Sequence, residues 1–453
     1  MKLIIHRGAH EIGGGCVEVA TPKTRIILDL GMPLFAEHNP EKKFDSGILK
    51  RKSVEKLLSE KILPQVDGLY EGVASKRKID ALILSHSHLD HYGLCEYIKP
   101  EIPVYLTEEA KRIIEVTEIF VLNKKNIVKN PNIMEIGKTY EIGKIKIRPY
   151  LMDHSALGAC GILVEGDGQL LFYSGDFRAH GRKHGAFQWF VKNTPKGVDC
   201  LLMEGTMMGR GEKLCSTEEE VEEKIYSLIK KTKGIILGCF SAQNIDRLVS
   251  FYRDAKRNRR ILVIDLYTAY LLHSLKGLKS TENIPMPEWP EVKIFFPHQL
   301  MRRLKRVGYF EKVIPLFREK EISKNEISKR HAEIVMMFRD SMWDEVKENF
   351  PLEDGLLIYS QYEGYLKEST SQKVFEEIKK TGMRLETAHT SGHAFIDDLQ
   401  EYCKALRPKI LIPIHTFHPE KYRAFFNDCY IPQIKNGEYF CIEDHLKLVY
   451  KKN

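Results

Sequence analysis

Residues 85–93 read SHSHLDHYG and follow directly on the apolar run IDALIL at 79–84. Three histidines and an aspartate fall within six positions, at the point where a buried strand must end and turn. In strand phase His86 and His88 point to the same side, and Asp90 and His91 follow on the turn. Neutral imidazoles and a carboxylate are the donors that borderline cations such as zinc accept. In a chain of 453 residues with 17 histidines, this density predicts two adjacent metal positions.

Outward from this turn, the same pairing of apolar strand and terminal ligand recurs. Asp29 closes RIILDLG, His154 closes PYLMDH, Asp176 lies in FYSGDF and His415 lies in LIPIHTF. A lone polar residue at a strand end is more often a satisfied loop group than a ligand. Repetition in one chain gives these four weight.

The first 30 residues alternate strand-like segments with glycine-rich turns, which predicts hairpins. LTEEAKRIIEVTEIFVLNKKN has helical apolar spacing, and KIKIRPYLMDH, GACGILVEG and GQLLFYSGDF read as strands. After CLLMEG at 200–205 the texture changes. A Ser216/Glu219 capping pattern opens a helix, and strands and helices then alternate, the signature of a parallel α/β unit. The expected organisation is a first segment 1–204, an inserted α/β domain 205–371, and a returning segment 372–453.

Composition is that of an ordinary soluble globular protein, with 43% hydrophobic and 29% charged residues. No leader or membrane-spanning run is expected, because MKLIIHRGAHEIGGG breaks into charge and glycine at once. The nine cysteines are scattered and never spaced C-x-x-C, which fits a reducing cytoplasm. Net charge is +8, with basic clusters at 230–234, 253–260 and 302–306. Solvated helix faces explain any one of them; three in one segment favour a polyanion partner.

H-x-H-x-D-H after a buried strand, with Asp29, His154, Asp176 and His415 in order, resembles the metallo-β-lactamase fold. That resemblance implies a four-layer αββα architecture with two zinc ions, manganese or magnesium being alternatives. His86, His88 and His154 would hold one ion, Asp90, His91 and His415 the other, with Asp176 between them and Asp29 orienting a ligand histidine. Two ions about 3.5–4 Å apart lower the pKa of water and clamp a substrate oxygen.

An insert placed before the terminal histidine is similar to the β-CASP branch of nucleic-acid-processing enzymes, which includes ribonuclease J. Three features carry this likeness: Glu204 ending LLME, His393 in HTSGHA, and His415 itself. The resemblance implies a nuclease in which Asp90, Glu204 and His393 act in catalysis on single-stranded nucleic acid, RNA favoured over DNA. Arg178, Arg182 and Lys183 in DFRAHGRKHG would meet incoming phosphates. Ser241 and Gln243 in GCFSAQ would cradle one at a helix N-terminus. Tyr362 and His389 are outside candidates. The chain continues only briefly past His415, so the extra C-terminal domain of bacterial ribonuclease J is not expected. Rival readings are a small-molecule hydrolase of the same fold, acting on an ester, thiolester or cyclic phosphodiester, and a nucleic-acid-binding subunit with a degenerate site.

Overall fold

A computed structural model describes residues 1–36, 39–210, 215–367 and 369–452. Three sheets organise it. The first has seven strands, Lys2–Arg7, Cys16–Ala20, Arg25–Leu28, Ala81–Ile83, Val104–Thr107, Pro131–Met134 and the late strand Tyr439–Cys441, which pairs with the first. The second has six, from Tyr140–Ile142 through Ile145–Leu151, Cys160–Gly166, Gln169–Tyr173 and Cys200–Glu204 to Ile410–Ile414.

Alternation along these strands dictates the layering, because successive side chains face opposite sides of a sheet. Val17, Val19, Ile26, Leu28 and Ile83 of the first sheet meet Ile147, Ile162, Leu171, Leu202 and Ile412 of the second in one buried core. The intervening residues face outward and are also covered. Ile27 and Leu82 pack under Leu57, Tyr92 and Ile114 of helical segments. Leu201, Met203 and Leu411 pack under Phe187 and Phe190 of helix His184–Asn193 and Tyr402 of helix Ile396–Leu406. The result is helix, sheet, sheet, helix, as the sequence predicts.

The third sheet is wholly parallel and belongs to the insert. Its central strands, Ile236–Cys239, Ile261–Asp265, Ile334–Phe338 and Leu356–Tyr359, are continuously apolar because both faces are covered. Two expectations shift here. The helix after residue 215 is capped by Thr217, whose hydroxyl accepts from the amide of Glu220, while Ser216 donates its own amide to the Glu220 carboxylate. The insert also runs past residue 371, since Arg384–Thr387 pairs with Leu356–Tyr359 as the last strand of its sheet.

The two outer segments join through neighbouring parallel strands, with Glu204 opposite Ile414. Glu204 and His415 therefore emerge side by side. Helix Glu108–Thr117 of the first segment lies on helix Leu266–Leu275 of the insert, and Ile113, Val116 and Phe120 enter the insert's core there.

Candidate metal centre

Every strand-end residue predicted as a ligand arrives in one basin at the edge of the two facing sheets. His86, His88 and His154 form one group of donors, and Asp90, His91, Asp176 and His415 form an adjoining group. In the first, His86 Nε2 and His154 Nε2 each lie 3.2 Å from His88 Nδ1. His154 Nδ1 donates to the carbonyl of Gly392 at 2.7 Å, so in the neutral ring Nε2 carries the lone pair. Burial keeps the three rings neutral, pushing His88 down to about 4 and His86 and His154 well below the usual histidine range. Three uncharged imidazoles directing nitrogens at one point are donors poised for a cation.

The second group is organised by Asp29. Its carboxylate accepts from the Ser85 amide and hydroxyl, both at 2.7 Å, from the Tyr173 hydroxyl at 2.6 Å, and from His91 Nδ1 at 2.7 Å. This fixes the tautomer of His91 and directs Nε2 at Asp176 Oδ2, 3.1 Å away. Asp176 Oδ1 is buried without a hydrogen-bond partner. Burial opposes charge on Asp176, but His415, His91 and His393 outweigh it and hold the carboxyl well below its usual range. Burial likewise opposes charge on His91, and Asp176, Asp29 and Asp90 together raise it well above normal. An orphaned buried carboxylate oxygen amid converging donors fits a bound metal cation.

His415 is held differently. Its Nδ1 lies 2.8 Å from the Thr206 hydroxyl, while Nε2 accepts from the Gly13 amide at 3.0 Å and lies 3.3 Å from Asp90 Oδ2. Both nitrogens thus have protein neighbours. Asp29 and His415 also share a backbone conformation, with φ of 57° and 52° in the left-handed region that non-glycine residues seldom occupy. Such strain persists only where the surroundings over-determine it. Here the Asp29 amide donates to Ile83 O at 2.9 Å and that of His415 to Gly8 O at 2.7 Å. Gly31 meets a different demand: a Cβ there would sit 1.6 Å from the carbonyl oxygen of Asp90.

Beside the two groups stands a third constellation of Asp176, Glu204 and His393. Glu204 is fully buried, accepting from the Thr206 amide at 2.8 Å, and its Oε1 lies 3.4 Å from His393 Nδ1. His393 keeps part of its ring accessible, and its centroid is 5.5 Å from that of His154 and 5.9 Å from that of His415.

The residues expected to contact substrate fare differently. Arg178 is fully buried and bonded to Asp246 and Glu218, so it cannot meet a phosphate. Arg182 is engaged by Glu222, Ser250 and the Asp246 carbonyl, and Lys183 lies 3.3 Å from Asp246. Acidic partners from the insert, invisible in the local sequence, turn this basic loop inward. Gln243 donates its side-chain amide to Thr117 and Tyr267, and Asn244, not Ser241, caps the following helix. Ser241 stays exposed, its hydroxyl accepting from the Gln243 amide. His389 is partly buried, and desolvation of its ring pushes it down to about 3. Tyr362 is exposed beneath the Arg210 guanidinium, 4.8 Å from the ring centroid.

Three contributors were missed in the sequence: Ser85, Tyr173 and Thr206, which hold Asp29 and His415. Only adjacency to HSHLDH and to Glu204 could have drawn attention to Ser85 and Thr206.

Family comparisons agree with this geometry. Residues 69–226 match a family model described as a beta-lactamase superfamily domain, a span containing six of the seven candidate ligands, His86 to Asp176. Over that span the chain is similar to the metallo-β-lactamase superfamily. A second model, described as a Zn-dependent metallo-hydrolase RNA specificity domain, matches 381–423 and takes in His393 and His415. Among curated proteins, the chain is 24% identical over 288 residues to an RNase J-like protein of Methanocaldococcus jannaschii, covering 60% of this chain and 59% of the relative. It is 23% identical over 425 residues to ribonuclease J of Mycoplasma pneumoniae, covering 91% and 67%. A probable RNase of M. jannaschii is 23% identical over 92% of this chain and 93% of its own. A crystal structure of a protein of unknown function from Enterococcus faecalis superposes with a TM-score of 0.76 at 22% identity, covering 97% and 99%. The chain thus spans less than two thirds of the first of these relatives.

Proposed function

We propose that this protein is a metal-dependent ribonuclease of the metallo-β-lactamase type that hydrolyses phosphodiester bonds of single-stranded RNA, acting in a reducing cytoplasm. The observation that carries the reading is the placement of His393 and Glu204 beside Asp176, with His393 inside the span that matches the RNA-specificity model. No described helix is long and apolar enough to cross a membrane.

His86, His88 and His154 would hold one zinc ion and Asp90, His91 and His415 the other, with Asp176 shared. When bound, two such ions activate a water molecule and neutralise charge on the phosphate. Asp29 holds His91 in the ligating tautomer. Asp90, pulled down to about 2 because His91 and His415 outweigh its burial, stays ionised and accepts the proton that the attacking water gives up. As the new oxygen–phosphorus bond forms and the old one breaks, His393 donates a proton to the departing oxygen. Glu204, close to Nδ1, orients the ring so that its other nitrogen is left for the substrate. A single strand suits a basin recessed between two units better than a stacked duplex does.

The test is direct. Single-stranded RNA and DNA labelled at the 5′ or 3′ end are incubated with zinc-loaded protein and with Asp176→Ala. The expected result is RNA cleavage by wild type alone. Intact RNA alongside rapid turnover of a small ester would transfer the assignment to the small-molecule reading.

A further inference from the structure

Arg178 lies two residues past Asp176, and its side chain is entirely buried and ion-paired with Asp246. Its guanidinium gathers four segments. Nη2 bonds to Asp246 Oδ2, while Nη1 lies 3.3 Å from Glu218 Oε2 and donates to the carbonyl of Ser391 at 3.2 Å. Nε faces Asp153 Oδ1 at 3.5 Å, and the Arg178 amide donates to the Asp153 carbonyl at 2.7 Å. Asp246 and Glu218 begin two helices of the insert, Asp153 precedes the ligand His154, and Ser391 stands two residues before His393.

Neighbouring contacts hold the same returning segment. Arg247 bonds to Glu218 Oε1 at 2.7 Å and to the Ala388 carbonyl at 3.2 Å. His180 Nε2 lies 2.9 Å from the Ser391 carbonyl, and His154 Nδ1 donates to that of Gly392. By contrast, among the described residues His393 Nδ1 has no hydrogen-bond partner, although Glu204 Oε1 lies 3.4 Å away. Glu204 can turn the ring, but where the ring stands is set by the backbone that carries it. Gly181 completes the arrangement, because a Cβ there would lie 2.4 Å from Arg178 Nε and 2.5 Å from Asp153 Oδ1.

We infer that Arg178 is a positioning residue: through Ser391 it fixes the backbone that presents His393, and through Asp246 and Glu218 it makes that placement depend on the seating of the insert. A planar guanidinium reaches acceptors on separate segments at fixed angles, and the compact ammonium of lysine cannot do so. Displacing a reacting group by about 1 Å costs on the order of 100-fold in rate. The kinetic part rests on the proposed nuclease reading; the structural part does not.

Arg178→Lys and Gly181→Ala test it, the second altering no charge. Arg25→Lys serves as the control, since Arg25 is also forked onto a buried carboxylate, Glu18, but lies outside this network. Amide hydrogen exchange over 389–394, zinc content, and kcat and KM on labelled single-stranded RNA are measured for each. For both test variants, exchange in that segment should rise by roughly tenfold. Their kcat should fall about 10- to 100-fold, with KM within about twofold of wild type and zinc unchanged. Arg25→Lys should leave segment and kcat as they are. Wild-type exchange over 389–394 in a folded Arg178→Lys or Gly181→Ala protein overturns the inference, whatever the RNA result. Raised exchange in a protein whose wild type cleaves no RNA upholds the positioning and defeats the nuclease reading instead. Should Arg178→Lys fail to fold, Gly181→Ala decides.

Discussion

The ligand basin and the His393 segment reach the same place by opposite means. Asp29, His86, His154, Asp176 and His415 stand at or just beyond the ends of strands in two sheets that share one core, so strand register alone brings them together. His393 follows the edge strand of the insert's sheet and is steadied by carbonyl contacts from three other segments. In the proposed reaction, metal binding would therefore depend on the sandwich, and proton delivery on how the insert sits on it.

Substitutions can separate the two. The largest effect is expected from Asp176→Ala, which removes the carboxylate that the proposed reading shares between the two ions: RNA cleavage should fall by about 10⁴-fold or more, with zinc lost by elemental analysis. His393→Ala should lower kcat about 10²- to 10⁴-fold while leaving zinc content at the wild-type level. A variant that also lost zinc would erase the distinction between basin and segment. Asp29→Asn should weaken zinc affinity by roughly 10- to 100-fold in a competition titration, because His91 would lose the acceptor that fixes its tautomer.

The smallest effect concerns acid. Burial opposes charge on Glu218, but Arg247 and Arg178 outweigh it and hold the carboxyl down to about 2. A depressed folded pKa contributes stability that is fully present above the unfolded value of 4.5 and is lost as pH falls through 4.5 toward 2. In metal-free protein, the urea midpoint of wild type should exceed that of Glu218→Gln at pH 6, and the gap should narrow by pH 3. The reporters are Trp289 and Trp343, which pack in and against the insert's two cores. A gap independent of pH would mean that this charge does not hold the insert.

These contrasts also explain what the sequence made legible. A ligand directly after an apolar run announces both its strand and its exposure to a basin, and HSHLDH, PYLMDH and LIPIH all do so. Arg178 announces only charge, and its partners Asp246 and Ser391 lie 68 and 213 residues away. DFRAHGRKHG therefore reads as a phosphate-seeking loop although Arg178, Arg182 and Lys183 are turned inward. The stretch Arg384–Thr387 reads as part of the returning segment for another reason: at the edge of the insert's sheet it is only partly covered, so RLET lacks the apolar run that marks its neighbours there. Ser216 and Thr217 are chemically equivalent caps, and only backbone conformation chooses between them.

The pairing of Glu204 with Ile414 has one more consequence. Strand Cys200–Glu204, helix Ile396–Leu406 and strand Ile410–Ile414 are an ordinary strand–helix–strand crossover, and the whole insert occupies the connection between its first strand and its helix. Connections at that end of a parallel pair are where α/β proteins usually keep their binding loops. The inserted domain is, in topological terms, one such loop enlarged until it acquired a core of its own, and His393 lies where the enlarged loop rejoins the parent fold.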